Sequence, residues 1–214
     1  MDFERDYLPK LGFRAKGFQT IFALLRKRRL HKGPLVIVET GCIRQKGNWG
    51  GDGNSSIMFN SFAEETGSTF VSIDIDPRHC ELAKEVCPRA KVICSDSVPA
   101  LYRLRRSFSA VDFLYLDSFD IDWDNPHRSA LHHFEELCAI AALLQPGSIV
   151  FVDDNRESIG KGMYIKEYMN QIGAQMVHDG YQLGFIMPSG QRKGTKKENM
   201  KRACEIPLRL NVPG

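Results

Sequence analysis

Acidic side chains follow five short apolar runs of this 214-residue chain, each at the point where the run ends. They are Glu39, Asp74, Asp96, Asp117 and the neighbouring pair Asp153 and Asp154. A carboxylate at the end of a buried strand is costly without a partner, although one or two would be ordinary helix N-caps. Five in series predict a ligand that carries hydroxyl groups, amines or a metal ion.

The apolar runs alternate with segments of helical spacing, which predicts a parallel sheet covered by helices on both faces. The expected strands are 35–39, 69–74, 91–94, 111–116 and 148–152, followed by 174–178 and 183–187 around an Asp-Gly turn. The predicted fold class is α/β, a Rossmann-like, doubly wound, mostly parallel seven-stranded sheet with a C-terminal antiparallel hairpin. Because ligands of such sheets bind beyond the carboxyl ends of the strands, the acidic residues are expected to meet at one site.

Charge is distributed unevenly along the chain. Residues 1–34 carry nine basic and three acidic side chains, residues 189–214 carry seven and two, and the centre carries 13 and 21. Residues 17–26 have apolar side chains at helical spacing, so we expect a helix that packs on the body of the chain or on a second subunit of a homodimer. The predicted domains are a basic N-terminal helical extension (1–33), a central domain (34–188) and a basic C-terminal tail (189–214).

Composition excludes several classes of protein. The chain has 43% hydrophobic and 26% charged residues, as soluble globular domains do. Its longest strictly apolar run, 138–144, is far shorter than the roughly 20 residues that span a bilayer, and its polar, acidic N-terminus is unlike a signal peptide. None of the six cysteines forms a C-x-x-C pair, so we expect reduced, buried thiols, no structural zinc site and a cytoplasmic protein.

The first three strand ends carry short motifs. They are Glu39-Thr-Gly41 with the glycine-rich segment 50–56, then Val71-Ser-Ile-Asp74, then Cys94-Ser-Asp96-Ser97. This series resembles the class I S-adenosylmethionine (SAM)-dependent methyltransferases over residues 34–188. The resemblance implies that Asp74 accepts hydrogen bonds from the ribose hydroxyls and that the glycines let the backbone approach the methionine part, although some ten residues stretch the usual compact spacing. The implied cofactor-binding residues are Glu39, Gly41, Gly53, Ser55, Asp74, Asp96 and Ser97.

The last two strand ends, Leu114-Tyr-Leu-Asp117 and Phe151-Val-Asp-Asp154-Asn155, resemble metal-dependent O-methyltransferases of the catechol type. The resemblance implies that Asp117, Asp154 and Asn155 hold Mg²⁺ or another divalent cation, which activates a substrate hydroxyl. The catechol type carries a lysine base three residues after the first metal-binding aspartate, where this chain has Asp120. The predicted catalytic residues are therefore His127, a histidine base as in related sugar methyltransferases, and Asp117.

The leading hypothesis is a SAM-dependent, divalent-metal-assisted O-methyltransferase that acts on a hydroxylated small molecule. A second hypothesis is methylation of RNA or another polyanion held by the basic ends, which a steep salt dependence of binding would support. A third is a non-catalytic cofactor-binding module, which the missing lysine motivates. A nicotinamide-binding protein is disfavoured, because no compact G-x-G-x-x-G follows the first strand.

Overall fold

A computed structural model describes residues 2–51, 54–157 and 159–189 of the chain. Within these residues seven strands form the main sheet, in the order β3-β2-β1-β4-β5-β9-β8, and two more form a short hairpin. The main strands are β1 (Val36–Thr40), β2 (Thr69–Asp74), β3 (Ala90–Cys94), β4 (Val111–Leu116), β5 (Leu144–Val152), β8 (Gln175–Asp179) and β9 (Leu183–Ile186), and the hairpin strands are β6 (Asn155–Arg156) and β7 (Ile159–Gly160).

The main sheet is mixed. The pairs β3–β2, β2–β1, β1–β4 and β4–β5 are parallel, whereas β9 is antiparallel to both β5 and β8. Every residue of the central strand β4 is buried, as expected for a parallel strand with helices on both faces, and this explains why its sequence does not alternate. The predicted fold class, including the C-terminal antiparallel hairpin, is confirmed.

Helices cover both faces of the sheet. Phe59 and Phe62 of α3 join α2 side chains on one face, and side chains of α5, α6 and α7 fill the other face. Successive side chains of a strand point to opposite faces of the sheet, so they pack into two separate hydrophobic cores. In β4, Phe113 and Tyr115 pack against α2 and α3, whereas Leu114 and Leu116 pack against the helices α5 to α7. The helices are α1 (Phe3–Asp6), α2 (Ala15–Lys32), α3 (Ser55–Thr66), α4 (Pro77–Val86), α5 (Ser97–Arg103), α6 (His127–Ile140) and α7 (Met163–Gln171).

Helix α2 packs on the body of its own chain. Four of its apolar side chains are fully buried in the core between α2, α3 and the sheet. At its C-terminal end, Arg28 Nε and Lys32 Nζ donate hydrogen bonds of 2.9 and 2.5 Å to the buried carboxylate of Asp112 in β4. The same carboxylate accepts a hydrogen bond from the Val36 amide, and together these contacts hold the pKa of Asp112 below its usual value against the effect of burial. The buried apolar side chains are Phe18, Ile21, Phe22 and Leu25.

Several boundaries differ from those predicted. The helix predicted over 17–26 extends over 15–32, because the basic segment 26–29 continues the helix instead of closing it. Strand β5 begins at Leu144, four residues before the predicted start at 148, and so includes the Pro146-Gly147 pair. It can do so because β5 pairs with β4 at Leu144 and then again from Ile149 onward, with a register shift that accommodates the proline.

The cysteines are partly as expected. All five that the structure describes are free thiols, and Cys42, Cys80 and Cys87 are buried. Cys94 and Cys138 are exposed, so the prediction that they lie in the core is wrong. Cys94 stands at the end of the thinly covered strand β3, and Cys138 lies on the outer face of α6, although both have apolar neighbours in sequence.

No helix among the described residues combines the length and the apolar character that crossing a membrane would require.

Candidate active site

A pocket of about 280 Å³ opens at the carboxyl ends of the central strands. It lies between the loops after β1 and β4, which are neighbours in the sheet but not consecutive along the chain. The order of strands reverses between these two, and open α/β sheets bind their ligands at such a switch point. The residues that line it include Gly41 and Cys42 after β1, Asp117 and Asp120 after β4, Asp154 after β5, and Arg14 from the N-terminal segment.

Glu39 is fully buried at the end of β1. The hydroxyl groups of Ser55 and Ser56, the first residues of α3, donate hydrogen bonds to its carboxyl group, and Ser72 of β2 donates a third of 2.9 Å. Burial raises the pKa of Glu39 to about 7, while the three serine hydroxyls act in the opposite direction. Glu39 therefore ties the start of α3 to the sheet, and Ser55, which also lines the pocket, is held by it.

Gly41 brings the backbones after β1 and β4 into direct contact. Its φ is +77°, and its amide donates a hydrogen bond of 2.8 Å to the Ile73 carbonyl. A β-carbon at this position would collide with the carbonyl oxygen of Asp117 and lie 3.0 Å from the Cα of Ser118. Only glycine fits this approach. Gly53, the other predicted cofactor-binding glycine, lies outside the described residues.

Asp74 joins the loops after β1 and β2. Its Oδ2 accepts a hydrogen bond of 3.0 Å from the Cys42 amide, and its Oδ1 accepts one of 2.8 Å from the Asp76 amide. Asp76 itself caps α4 by accepting a hydrogen bond from the Arg78 amide. Between the two carboxylates the side chain of Ile75 is 71% exposed, an apolar surface that the sequence analysis had not singled out.

Asp96 and Ser97 lie at the start of α5. Asp96 is exposed and caps this helix by accepting a hydrogen bond of 3.0 Å from the Val98 amide. Ser97 is buried, and its hydroxyl lies 3.1 Å from Nε2 of His132 on α6. Both residues therefore have structural partners, and neither is among the described residues that line the pocket.

Asp117 and Asp154 meet across a buried lysine. Nζ of Lys161 lies 2.6 Å from Oδ1 of Asp117 and 2.8 Å from Oδ2 of Asp154. The structure thus brings together two of the three predicted metal ligands, as expected for residues at the carboxyl ends of neighbouring parallel strands. The ion that joins them is an ammonium group of the chain itself.

Asn155, the third predicted ligand, is turned away from this pair. Its amide nitrogen donates hydrogen bonds of 3.0 and 2.9 Å to the carbonyls of Val152 and Asp153, and its Oδ1 accepts one of 2.8 Å from the Gly162 amide. Among the described residues no three His, Cys, Asp or Glu side chains are arranged to hold a metal ion. The predicted set of Asp117, Asp154 and Asn155 does not converge on a common point that a divalent cation could occupy. The Lys161 ammonium fills the space between the two aspartates, and the Asn155 oxygen accepts from the Gly162 amide instead of facing them.

Arg14, from the N-terminal segment, is a second cation at the end of β5. Its Nε donates a hydrogen bond of 2.9 Å to Asp153, and its Nη2 donates one of 3.2 Å to Asp154. The hydroxyl of Tyr181, in the loop between β8 and β9, donates a further hydrogen bond of 2.5 Å to Asp154. The Arg14 guanidinium also stacks 4.9 Å from the centre of the Tyr181 ring. Asp153 is thus held by an arginine, a partner that the sequence did not identify.

The rim of the pocket carries an ion pair between the loops after β1 and β4. Arg44 donates two hydrogen bonds, of 3.0 and 2.5 Å, to the carboxylate of Asp120, which holds the pKa of Asp120 below its usual value. Asp120 is the residue at the position of the catechol-type lysine. His127, the predicted base, is exposed at the start of α6 with its Nδ1 2.7 Å from the hydroxyl of Tyr164, and it is not among the described residues that line the pocket.

Sequence reasoning missed Arg14, Lys161 and Tyr181. Lys161 alone carried a local signal, because it stands between two glycines, Gly160 and Gly162. Arg14 and Tyr181 lie in short segments without a motif, and only the folded chain brings them to the ends of the strands.

No family model matches this chain, and no curated protein sequence matches it. Solved structures do. MycE, a methyltransferase from the mycinamycin biosynthetic pathway in complex with Mg and S-adenosylhomocysteine (SAH), superposes with a TM-score of 0.60 at 17% identity over 87% of this chain and 53% of that chain. MycE with Mg, SAH and mycinamycin VI gives 0.55 at 18% identity over 79% and 49%.

The O-methyltransferase NovP superposes with a TM-score of 0.57 at 14% identity, over 81% of this chain and 80% of its own. The chain thus spans about half the length of MycE and most of NovP. At these identities the likeness concerns architecture: the chain has the fold of the class I SAM-dependent methyltransferases.

Proposed function

We propose that this protein is a SAM-dependent methyltransferase that O-methylates a hydroxylated small molecule. The observation that carries the proposal is the junction of β1, β2 and β4, where Gly41 leaves no room for a side chain and the Asp74 carboxylate stands beside the exposed Ile75. An open backbone, a carboxylate and an apolar side chain in a row match the methionine, ribose and adenine parts of SAM. The fold shared with MycE and NovP supports the same reading.

In this proposal Asp74 binds the ribose, because a carboxylate accepts hydrogen bonds from both hydroxyls of a diol. Gly41 admits the methionine part, and Ile75 covers one face of the adenine. When bound, SAM would supply a methyl group on a sulfonium sulfur. Transfer of that methyl group to the acceptor oxygen would leave neutral SAH, and the hydroxyl proton would pass to water or to a pocket carboxylate such as Asp120. The chain contributes mainly alignment of the acceptor hydroxyl with that methyl group.

The acceptor side of the pocket is polar and carries Asp117, Asp120 and Asp154 together with Arg14 and Arg44. Trp123 lines it as well, with its ring 3.9 Å from the Arg156 guanidinium. Carboxylates at the pocket repel phosphate groups, whereas carboxylates and guanidinium groups both hydrogen-bond hydroxyls. This composition favours a neutral, hydroxyl-rich acceptor over RNA or another polyanion. The proposal includes no divalent metal, because the Asn155 oxygen accepts from the Gly162 amide and the Lys161 ammonium contacts Asp117.

Calorimetric titration with SAM tests the cofactor site. We expect the wild-type protein to bind SAM and the Asp74→Asn variant to bind it at least about tenfold more weakly, a loss of about 1.4 kcal/mol, because the amide replaces an acceptor with a donor. Asp76→Asn is the matched control: it lies two residues away, asparagine also caps helices, and its affinity should match the wild type.

Transfer of a labelled methyl group to a panel of polyhydroxylated acceptors then tests the reaction. A folded wild-type protein that binds neither SAM nor SAH would contradict the proposed function and leave only the fold. Labelling of RNA in preference to the hydroxylated panel would contradict the proposed acceptor class while leaving the methyltransferase assignment intact.

A further inference from the structure

Lys161 is a fully buried lysine at the edge of the candidate site. Lysine is almost never fully buried unless it is paired, because an ammonium group taken out of water loses its hydration. Here two carboxylates replace that hydration, with Nζ at 2.6 Å from Asp117 and 2.8 Å from Asp154. The lysine thus bridges the ends of β4 and β5, beside the pocket that both aspartates line.

The backbone around Lys161 is shaped to put it there. Asp154 has a φ of +53°, which is uncommon for a residue with a side chain, and it turns the chain from β5 into the β6–β7 hairpin. Gly160 closes this hairpin with a φ of +150°, and a β-carbon on it would lie 2.5 Å from the carbonyl oxygen of Asp154. The Lys161 amide then donates a hydrogen bond of 3.1 Å to that same carbonyl.

The residue after Lys161 is equally constrained. A β-carbon on Gly162 would lie 2.7 Å from the Leu183 side chain and 2.9 Å from Oδ1 of Asn155. The Gly162 amide donates to that oxygen. The asparagine predicted as a metal ligand therefore serves to fix the segment that carries the lysine. Strained backbone is retained where the surrounding structure demands it, and such positions cluster at functional sites.

Two cations of the chain, Lys161 and Arg14, contact the three carboxylates at the ends of β4 and β5. Lys161 contacts Oδ2 of Asp154, and the other oxygen of Asp154 accepts hydrogen bonds from Tyr181 and Arg14. Arg14 neutralises the third carboxylate, Asp153. A divalent cation would have to displace Lys161 before it could bind both aspartates.

We propose that the Lys161 ammonium is a built-in cation that takes the place of a divalent metal between Asp117 and Asp154. It acts as a positioning residue, which fixes the two carboxylates at the wall of the acceptor pocket so that the chain needs no Mg²⁺ to assemble its site. The part that this arrangement plays in catalysis rests on the proposed methyltransferase function, whereas the exclusion of metal from the site does not.

The test is a titration with Mn²⁺ followed by the electron paramagnetic resonance signal of the free ion, on wild type and Lys161→Ala. Removing the ammonium opens the space between the two carboxylates, so we expect Lys161→Ala to bind one Mn²⁺ per chain and to lose it in Lys161→Ala combined with Asp154→Asn. The wild type should bind none at this site at up to about 1 mM, the range of weak carboxylate sites. Lys166→Ala, which breaks a lysine–Asp179 ion pair of 2.9 Å elsewhere, is the matched control and should behave like the wild type.

Thermal unfolding with and without Mg²⁺ provides a second readout. Mg²⁺ should raise the melting temperature of Lys161→Ala and leave that of the wild type unchanged, because a ligand stabilises only the state that binds it. If Lys161→Ala does not fold, Lys161→Ser serves in its place, since a small polar side chain leaves the same space with a hydroxyl.

Two results would overturn the proposal. One is a wild-type protein that binds one Mn²⁺ and loses it in Asp154→Asn; this measurement needs no lysine variant. The other is a folded Lys161 variant that gains no metal, which would mean that the two carboxylates are not a cation site. The proposed methyltransferase function has a different test, which is SAM binding in the presence of EDTA. Failure of that test and failure of the metal-exclusion proposal can therefore be told apart.

Discussion

His133 occupies an unusual position on α6, fully buried, with Nδ1 2.7 Å from the Ser129 carbonyl and Nε2 without a hydrogen-bond partner among the described residues. Burial lowers its pKa to about 4, although Glu136 acts in the opposite direction. In the unfolded chain a histidine takes up its proton near pH 6.5. The fold therefore favours the neutral ring. The stability that this provides is intact above about pH 6.5 and is lost as the pH falls toward 4.

We therefore predict that His133→Asn flattens the acid side of the stability profile. The asparagine amide can still donate to the Ser129 carbonyl but does not titrate, so the variant should lose about 3 kcal/mol less than the wild type between pH 6.5 and 4. Urea unfolding at a series of pH values measures this. His31→Asn, at an exposed position near the end of α2, is the control. Parallel profiles for His133→Asn and wild type would contradict the prediction.

At this scale the sequence indicated that Asp117 and Asp154 would meet, but not which side chains bind them. Asp117 and Asp154 meet as expected, since both end neighbouring parallel strands. The resemblance to catechol-type enzymes predicted a metal ion between them, whereas the structure has the Lys161 ammonium there. Strand ends show which carboxylates converge, but not which distant side chain reaches them. Lys161 and Arg14 lie 44 and 139 residues from the aspartates they bind, Asp117 and Asp153. Contacts over such separations follow from the packing of elements and leave no local pattern.

Helix α2 shows how an element can be basic in composition and still belong to the core. Phe22 is fully buried, and its ring lies 4.6 to 6.0 Å from the rings of Phe3, Phe59 and Phe62. Two turns further along the same helix Leu30 is 85% exposed. The apolar side chains of α2 therefore differ sharply in what they contribute to stability.

Phe22→Ala should lower the free energy of unfolding by about 3–5 kcal/mol, because it removes a ring from a packed aromatic cluster and leaves a cavity. Leu30→Ala removes a comparable apolar side chain from the same helix and should change stability by no more than about 0.5 kcal/mol. Urea denaturation of the two variants gives both values. Similar losses for the two would mean that α2 does not dock on the sheet as described.

The elements themselves were largely readable from the sequence. The strand over 69–74 and the strand over 111–116 were predicted with the bounds that the structure has. The β6–β7 hairpin was missed, because strands of two residues are too short to show a period. The length of α2 was underestimated, because the prediction followed the apolar side chains at 17–26 and stopped where four consecutive basic residues begin. Only one face of a helix has to be apolar, so basic residues can continue the helix on its exposed face.

Considered as a whole, the molecule brings its N-terminal segment and the loop between β8 and β9 together at one site. The N-terminal segment supplies Arg14, and the loop between the last two strands supplies Tyr181, whose ring lies 4.4 Å from Phe13. Both side chains reach Asp154. Residues 1–33 were predicted as a basic helical extension, and Arg14 of this segment contacts the carboxylates of Asp153 and Asp154.

Arg14→Ala should destabilise the protein by about 3–5 kcal/mol, because it leaves the buried Asp153 carboxylate without its cation. The stability of Arg14→Lys should lie between that of Arg14→Ala and that of the wild type, since a lysine keeps the charge but not the forked contact with both aspartates. Arg5→Ala, which removes an exposed arginine paired with Asp6, should leave the melting temperature unchanged. If Arg14→Ala melts with the wild type, the N-terminal segment does not contribute to the site.

The Arg14 contact also has a consequence for how the protein is made. During synthesis residue 14 leaves the ribosome long before Asp153 and Asp154 are translated. Its two partners become available only after five of the seven strands of the main sheet have been made. The central strands β1, β2 and β4 can pair as they emerge, but the strand ends acquire their counter-charges only when the chain has reached Lys161 and Tyr181. A nascent chain arrested shortly after residue 152 would thus hold most of the sheet without a finished site. The pocket therefore acquires its full set of side chains only once Tyr181 has been translated, however early its first residue was made.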